Sequence, residues 1–148
     1  MNVCGIKSKL LNPDFELLIK NYDILIFVET KTDEFDILNI PEDYTYFCKH
    51  RKKCNKKSGG IIIIYKKKLS LNFNFLKSDS EFVQWVEISG KFCKLDKFNT
   101  KILFGCVYIP PEFSKYSSEE AFIEIEEELL HFSRNTNHIA MVGDFNSR

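Results

Sequence analysis

The sequence predicts an α/β layered domain. Several short runs of apolar and β-branched residues are typical of strands, whereas only two segments show helical spacing. A chain of 148 residues fits one domain at most, and 44% hydrophobic with 28% charged residues indicates a globular rather than a disordered chain. Basic and acidic residues number 21 each, so the net charge does not indicate a partner.

The first helix is predicted from the residues that would start it. Asn12 is a favourable N-cap, and Pro13 follows at the first helical position, where its missing N–H costs nothing. Apolar residues then recur at helical spacing, which predicts a short helix that ends near Asn21.

Six apolar runs predict strands. Residues 24–28 and the four isoleucines 61–64 are continuous apolar segments, typical of strands that are covered on both faces. Ser58-Gly59-Gly60 predicts a flexible segment before the second of these strands, and Pro110-Pro111 ends a later one. The predicted strands are residues 24–28, 44–48, 61–65, 82–89, 101–109 and 138–143.

The second helix is predicted to open at Ser117 and Ser118, because the two glutamates that follow place acidic charge near the positive end of a helix. Apolar residues at helical spacing predict its buried stripe, and the intervening glutamates predict a solvated face. Trp85 is predicted to lie in the core. The predicted stripe comprises Ala121, Phe122, Ile125, Leu129, Leu130 and Phe132.

Membrane-spanning and secreted proteins are the two classes that the sequence argues against. The apolar runs are too short to cross a bilayer, and the N-terminus lacks the basic start and apolar run of a secretory signal. The five cysteines are odd in number and scattered, and the spacing of Cys48 and Cys54 matches no common zinc site. We therefore expect reduced cysteines in an intracellular protein.

Polar residues stand where the predicted strands end. Glu29 follows the first strand, Tyr108 lies near the end of the fifth, and Asp144 with Asn146 comes at the end of the last; Asn2 is a further candidate. Ligands of α/β sheets gather at strand ends. Carboxylates suit a hard divalent cation, and tyrosine and asparagine hydrogen-bond phosphate. This set predicts metal-assisted hydrolysis of a phosphodiester.

Five short motifs, taken in order, resemble the endonuclease/exonuclease/phosphatase superfamily, and in detail the apurinic-type endonuclease domain encoded by non-LTR retrotransposons. The resemblance covers essentially the whole chain, and the combination is specific although each motif alone is weak. The motifs are Asn2-Val3-Cys4-Gly5, Val28-Glu29-Thr30, Ser58-Gly59-Gly60-Ile61, Val107-Tyr108-Ile109-Pro110-Pro111 and Gly143-Asp144-Phe145-Asn146-Ser147-Arg148.

The resemblance implies a two-layered β-sandwich flanked by helices, the DNase I-like fold, with Mg²⁺ or Mn²⁺ as cofactor and duplex DNA as substrate. It implies that Glu29 binds the metal and that Asn2 supports the metal site. It also implies that Tyr108 contacts the scissile phosphate, that Asp144 orients or deprotonates the attacking water, and that Asn146 positions the phosphate.

Two departures from the family pattern predict a partial domain. Only Met1 precedes Asn2, and the family's later Ser-Asp-His-type segment has no counterpart after Arg148. We therefore expect residues 1–148 to be one domain that is incomplete at both ends and inactive alone. In the full-length protein the resemblance implies a fused or neighbouring reverse transcriptase and a nuclear location.

A basic stretch of six residues has two interpretations. It is either a solvated loop or a loop that contacts phosphates without reading sequence, and the sequence does not decide between them. The stretch comprises Lys49, Arg51, Lys52, Lys53, Lys56 and Lys57.

Alternatives also remain for the site and the function. Asp144 and Asn146 together are compatible with a simple turn, and Tyr108 is compatible with core packing. The chain is a DNA-nicking endonuclease domain, or a non-enzymatic remnant that binds nucleic acid or a partner through its basic stretch. A third interpretation is a superfamily member that acts on a phosphoinositide or another small phosphodiester.

Overall fold

The computed structural model describes residues 1–51, 57–92, 100–136 and 138–146. They form a mixed α/β structure that divides into two compact units, Met1–Ser70 and Leu71–Arg148. No helix within these residues is both long enough and apolar enough to cross a bilayer. The first unit contains α1 (Pro13–Lys20), β1 (Ile24–Val28), β2 (Tyr44–Lys49) and β3 (Ile61–Lys66). The second contains β4 (Phe73–Phe75), β5 (Val83–Ser89), β6 (Lys101–Tyr108), α2 (Ala121–Phe132) and β7 (Ile139–Asp144).

The first unit is built on an antiparallel sheet of strand order β1-β3-β2. Because β3 is central, its isoleucines and Tyr65 are buried on both faces, as the apolar run predicts. The N-terminal segment lies parallel to β1, with Asn2 bridged to Val28 and the Val3 N–H donating to the Val28 carbonyl at 3.0 Å. This pairing places Asn2 beside the end of β1.

Helix α1 begins where the sequence predicts. The Asn12 side chain accepts a hydrogen bond from the Asp14 N–H at 2.9 Å, which is the expected N-cap contact. The helix contributes Ile19, which is fully buried, to the core of the first unit. That core comprises Val3, Ile6, Ile19, Leu25, Phe27, Leu38, Tyr44, Ile62 and Ile64.

The second unit has the strand order β4-β5-β6-β7, in which β6 and β7 are parallel. Two parallel neighbours need a crossover connection, and α2 supplies it. Ala121 and Ile125 of α2 pack into the same core as Trp85, which is fully buried as predicted. The three-residue strand β4 is too short to show in the sequence pattern. The crossover brings the carboxyl ends of β6 and β7 to one edge of the sheet.

Two sequence predictions for α2 are wrong. The helix begins at Ala121 and not at the serines, because Ser118 Oγ accepts the Glu120 N–H at 3.3 Å and closes a turn before the helix. Phe122 and Leu130 leave the predicted buried stripe, being 52% and 62% exposed. The buried stripe of α2 is therefore narrower than the apolar pattern of its sequence indicates.

The described cysteines carry free thiols. Cys4 is exposed, Cys48 is partly buried and Cys106 is buried. Burial raises the pKa of the Cys48 and Cys106 thiols to about 12, so both are neutral at physiological pH. Cys54 and Cys93 lie outside the described residues.

Candidate functional site

Glu29 lies directly after β1 in a backbone conformation that is unusual for a residue with a side chain. Its φ is 57°, and that of Lys31 is 53°. Such conformations cost about 1–3 kcal/mol each and persist only where the surroundings hold them. Here the Lys31 N–H donates to the Gly59 carbonyl at 2.8 Å and the Thr30 N–H to that of Gly60 at 3.3 Å. These bonds hold the Glu29 carboxylate at the end of the strand.

Gly60 is needed for this close approach. A Cβ at this position would lie 2.6 Å from Thr30 Oγ1, and the Gly60 φ of 91° also favours glycine. Thr30 is fully buried, so it has no room to move away. The Ser-Gly-Gly segment, predicted as a flexible connection, instead packs against the backbone that carries Glu29.

Glu29 is paired with a lysine that the sequence reasoning missed. Its Oε1 lies 3.1 Å from Lys31 Nζ, and the same Nζ lies 3.0 Å from Cys4 Sγ. The contacts with Cys4 and Glu29 raise the pKa of Lys31. Asn2 lies in the same corner, since its Oδ1 accepts the Cys4 N–H at 3.1 Å. The structure therefore brings the two predicted metal-site residues together beside one cation.

The donors in this corner match an Mg²⁺ or Mn²⁺ ion in kind. Asn2 offers an amide oxygen and Glu29 a carboxylate that is 22% exposed, and these cations prefer oxygen ligands. Mg²⁺ commonly takes one or two carboxylates and retains several waters. Among the residues that the structure describes, no group of three or more His, Cys, Asp or Glu side chains converges. The corner therefore fits part of a magnesium shell and not a complete protein cage.

The other three predicted residues lie together in the second unit. Tyr108 and Asp144 face each other in the parallel register of β6 and β7, and the Ile109 N–H donates to the Asp144 carbonyl at 2.9 Å. Asn146 has a φ of 42°, and its Nδ2 donates to the Ile109 carbonyl at 2.8 Å. Asp144 and Asn146 are partly exposed, whereas Tyr108 is only 6% exposed. Polar groups thus collect at the carboxyl ends of two parallel strands.

The basic stretch is described only in part. Lys49 and Arg51 are partly exposed, whereas Lys52, Lys53 and Lys56 lie outside the described residues. Lys57 is exposed, but its Nζ lies 2.6 Å from Asp36 and 3.0 Å from Asp33. These carboxylates offset the charge that Lys57 would offer to phosphate if the basic stretch were a phosphate-contacting loop.

Replacement of Asp36 by asparagine is expected to weaken the acid dependence of stability. The Asp36 carboxylate is 6% exposed and pairs with Lys57 at 2.6 Å and Lys7 at 2.7 Å, which lowers its pKa. A carboxyl with a lowered pKa stabilises the fold above its unfolded pKa of about 3.9, and this contribution is lost as pH falls through the folded pKa. At neutral pH we expect the free energy of unfolding of Asp36→Asn to be about 1–2 kcal/mol lower than that of the wild type. As the pH falls below about 4, the variant should lose less stability than the wild type loses.

The measurement is urea unfolding at a series of pH values, with Asp43→Asn, an exposed aspartate of the same unit, as the control. If Asp36→Asn and Asp43→Asn show the same pH profile, the two lysine contacts do not contribute to stability.

Comparison with known proteins bears on the fold. No protein-family model matches the chain, and no curated protein matches it. Among solved structures, the AP endonuclease LMAP from Leishmania major is similar over 98% of this chain and 53% of that one, with 17% identity and a TM-score of 0.73. An AP endonuclease from Archaeoglobus fulgidus is similar over 97% of this chain and 54% of that one, with 22% identity and a TM-score of 0.56. TDP2 from Caenorhabditis elegans is similar over 100% of this chain and 46% of that one, with 17% identity and a TM-score of 0.56.

These neighbours belong to the exonuclease/endonuclease/phosphatase superfamily. At such low identity the likeness shows the fold alone, and it confirms the DNase I-like fold class that the motif order implies. The chain spans about half the length of these structures.

Proposed function

We propose that the chain is part of a divalent-metal-dependent phosphodiesterase that nicks duplex DNA, as the endonuclease domain of a retrotransposon-type protein. The observation that carries this proposal is the grouping of Tyr108, Asp144 and Asn146 at the carboxyl ends of β6 and β7. A DNase I-like fold, shared with AP endonucleases, supports it. The retrotransposon assignment rests on the order of the five motifs.

Asp144, Asn146 and Tyr108 each have a separate proposed role in the hydrolysis of the phosphodiester. Asp144, partly exposed at the end of β7, accepts a proton from the attacking water or orients it. One N–H of Asn146 is held by the Ile109 carbonyl at 2.8 Å, so the amide has a fixed position from which its remaining groups hydrogen-bond a phosphate oxygen. The Tyr108 hydroxyl would donate to a phosphate oxygen as well.

Asn2 and Glu29 would hold the cation. A bound Mg²⁺ or Mn²⁺ would supply positive charge, which is the contribution that divalent cations make to phosphodiester hydrolysis. The Lys31 Nζ lies 3.1 Å from the Glu29 carboxylate. It would have to move away before that carboxylate could bind a metal. Lys31 thus provides the positive charge that is paired with the Glu29 carboxylate in this corner.

Residues 1–148 are proposed to form a partial domain. A further segment would supply the histidine and the additional acidic residue of the family pattern, and a reverse transcriptase would be fused or adjacent. A nuclear location follows from the same proposal.

The decisive experiment combines nicking with direct metal binding. Mn²⁺ binding is measured by electron paramagnetic resonance for the wild-type chain, Glu29→Gln and the control Glu42→Gln, an exposed glutamate of the same unit. We expect Glu29→Gln alone to weaken Mn²⁺ binding, by about tenfold. Because the chain is expected to be inactive alone, nicking of supercoiled plasmid with Mg²⁺ is measured for the full-length protein that contains it, with and without Asp144→Asn. The substitution is expected to lower nicking at least 100-fold.

Two outcomes would contradict the proposal. Equal Mn²⁺ affinity in the wild-type chain and Glu29→Gln would show that Glu29 is not a metal ligand. Metal-dependent nicking that Asp144→Asn retains at the wild-type rate would remove the catalytic assignment.

A second candidate function is DNA binding without turnover. The observation that favours it is that the chain spans about half the length of its structural neighbours. Salt-sensitive DNA affinity, with no nicking in Mg²⁺ or Mn²⁺ and no loss of Mn²⁺ binding in Glu29→Gln, would favour this alternative.

A further inference from the structure

Helix α2 carries apolar side chains on two faces. Its inner face packs into the core of the second unit through Ala121 and Ile125. Ile123 and Leu130 are 56% and 62% exposed, and their spacing of seven residues is close to two helical turns, so they share the opposite side. The outer face of α2 comprises Phe122, Ile123, Glu126, Glu127 and Leu130.

The apolar side chains of the outer face are not needed for the core. A surface helix normally places polar residues opposite its buried stripe, and neighbouring exposed apolar side chains mark a surface to which another molecule binds. The helix has 12 residues and is therefore about 18 Å long, at a rise of about 1.5 Å per residue. One helix of a partner would cover a surface of that length.

The charge of the outer face limits what can bind there. Glu126 and Glu127 are exposed among its apolar residues, and Glu119 and Glu120 are exposed just before the helix. The helix itself contains no lysine or arginine. DNA would be repelled from this face, and so would the outer face of α2 in a second copy of the chain. A basic partner would be attracted.

The chain's own basic stretch does not match the outer face of α2. Residues 49–57 contain no Val, Leu, Ile, Met or Phe that could cover its apolar side chains, and Lys57 is already paired with Asp33 and Asp36. The occupant must therefore combine positive charge with apolar side chains on one side. An amphipathic helix with apolar residues at helical spacing and lysine or arginine beside them has both properties.

We propose that the outer face of α2 is a docking site for a basic amphipathic helix of a partner protein. The apolar side of that helix covers Phe122, Ile123 and Leu130, and its lysines or arginines pair with Glu126 and Glu127. This docking site does not depend on the proposed phosphodiesterase function, because none of its residues belongs to the candidate site at the ends of β6 and β7.

Fluorescence anisotropy with two labelled synthetic peptides tests this proposal. Both peptides contain the same numbers of lysines and leucines and have about 18 residues, which is long enough for a helix. In the first peptide the leucines lie on one side of the helix, and in the second they are distributed around it. We expect the wild-type chain to bind the first peptide about tenfold more tightly, because only its leucines can cover the outer face of α2 together.

The double substitution Ile123→Ser and Leu130→Ser tests the apolar contact. It is expected to weaken binding of the first peptide about tenfold, because apolar side chains at the centre of a contact contribute most to affinity. The matched control is Leu17→Ser on α1, where the side chain is 59% exposed and less than about a twofold change is expected. Unchanged fluorescence of Trp85, which is buried in the core beside α2, verifies that the second unit keeps its fold.

The double substitution Glu126→Gln and Glu127→Gln tests the charge. It is expected to weaken binding of the first peptide about fivefold at low salt and to make the affinity less dependent on salt. The control is Glu34→Gln with Glu42→Gln, which changes the net charge equally at exposed positions of the first unit. It should leave the affinity and its salt dependence as in the wild type.

Three results would overturn the proposal. The first is equal affinity of the two peptides, or an affinity that Ile123→Ser and Leu130→Ser leave unchanged. The second is binding by the chain but not by the full-length protein that contains it, because a segment of the same polypeptide then covers α2. The third is self-association of the chain in sedimentation that Leu130→Ser abolishes, because a second copy then occupies the face.

Discussion

Replacement of Gly143 by alanine is expected to destabilise the second unit and to remove the candidate site at the ends of β6 and β7. Gly143 faces Val107 in the parallel register, and a Cβ at Gly143 would overlap the Val107 carbonyl oxygen. The φ of 153° adds strain for a residue with a side chain. The atoms that a Cβ would meet belong to the Val107 backbone, so rotation of a side chain cannot relieve the overlap. We expect a loss of about 2–5 kcal/mol, a large part of the stability of an ordinary domain.

The same substitution would disturb the polar residues that follow it. Asp144 is the next residue, and Asn146 reaches its hydrogen-bond partner, the Ile109 carbonyl, only while β7 lies close to β6. Denaturant unfolding gives the stability. The control is Val142→Ala on the same strand, where the side chain is 38% exposed and a loss below about 1 kcal/mol is expected. Equal stability of Gly143→Ala and Val142→Ala would show that β7 does not approach β6 so closely.

Replacement of Glu128 by alanine is expected to have the second largest effect. Its Oε2 accepts hydrogen bonds from Ser78 Oγ at 2.7 Å and Trp85 Nε1 at 2.9 Å. Its Oε1 accepts the N–H groups of Asp79 at 2.8 Å and Ser80 at 2.9 Å. Removal of the carboxylate leaves the donor of a fully buried indole without this acceptor. We expect a loss of about 2–4 kcal/mol, because several donors lose one charged partner.

Trp85 is the only tryptophan, so its fluorescence reports the change directly. The Glu128→Ala protein should unfold at a lower denaturant concentration, and its native emission should shift as the indole loses its partner. Glu128→Gln keeps one acceptor oxygen and should fall between alanine and wild type. Glu127→Ala, at an exposed neighbour on α2, serves as the control. Wild-type stability in Glu128→Ala would mean that these contacts are replaced by water at no cost.

The role of Glu128 shows why the prediction of a solvated glutamate face was wrong for this residue. Nothing in the helical spacing distinguishes Glu128 from the exposed Glu126 and Glu127. Its partners lie more than 40 positions earlier in the chain. A local pattern carries no information on contacts at that separation. The exposure of Phe122 and Leu130 was missed for the same reason, because burial depends on what packs against a helix.

Local chemistry alone was sufficient for most of the elements. The strand Ile24–Val28 and the start of α1 follow the predicted bounds, since a continuous β-branched run and an Asn-Pro cap act within a few residues. The motif order also led to the DNase I-like fold class, which the structural comparison confirms. Roles of the five site residues remain predictions that the experiments above address.

The sequence by itself determined the described strands other than β4, the two helices apart from the start of α2, and the order of the polar residues at strand ends, because periodicity and capping are properties of neighbouring residues. Only the tertiary structure decided that Tyr108 faces Asp144, that Asn146 is tied to Ile109, and that Lys31 pairs with Glu29 beside Cys4. It also decided that Gly60 and Gly143 are sites of close backbone approach. The contacts of Tyr108, Asn146 and Cys4 join segments that are distant along the chain, and no local run of residues indicates which distant segment will lie beside it.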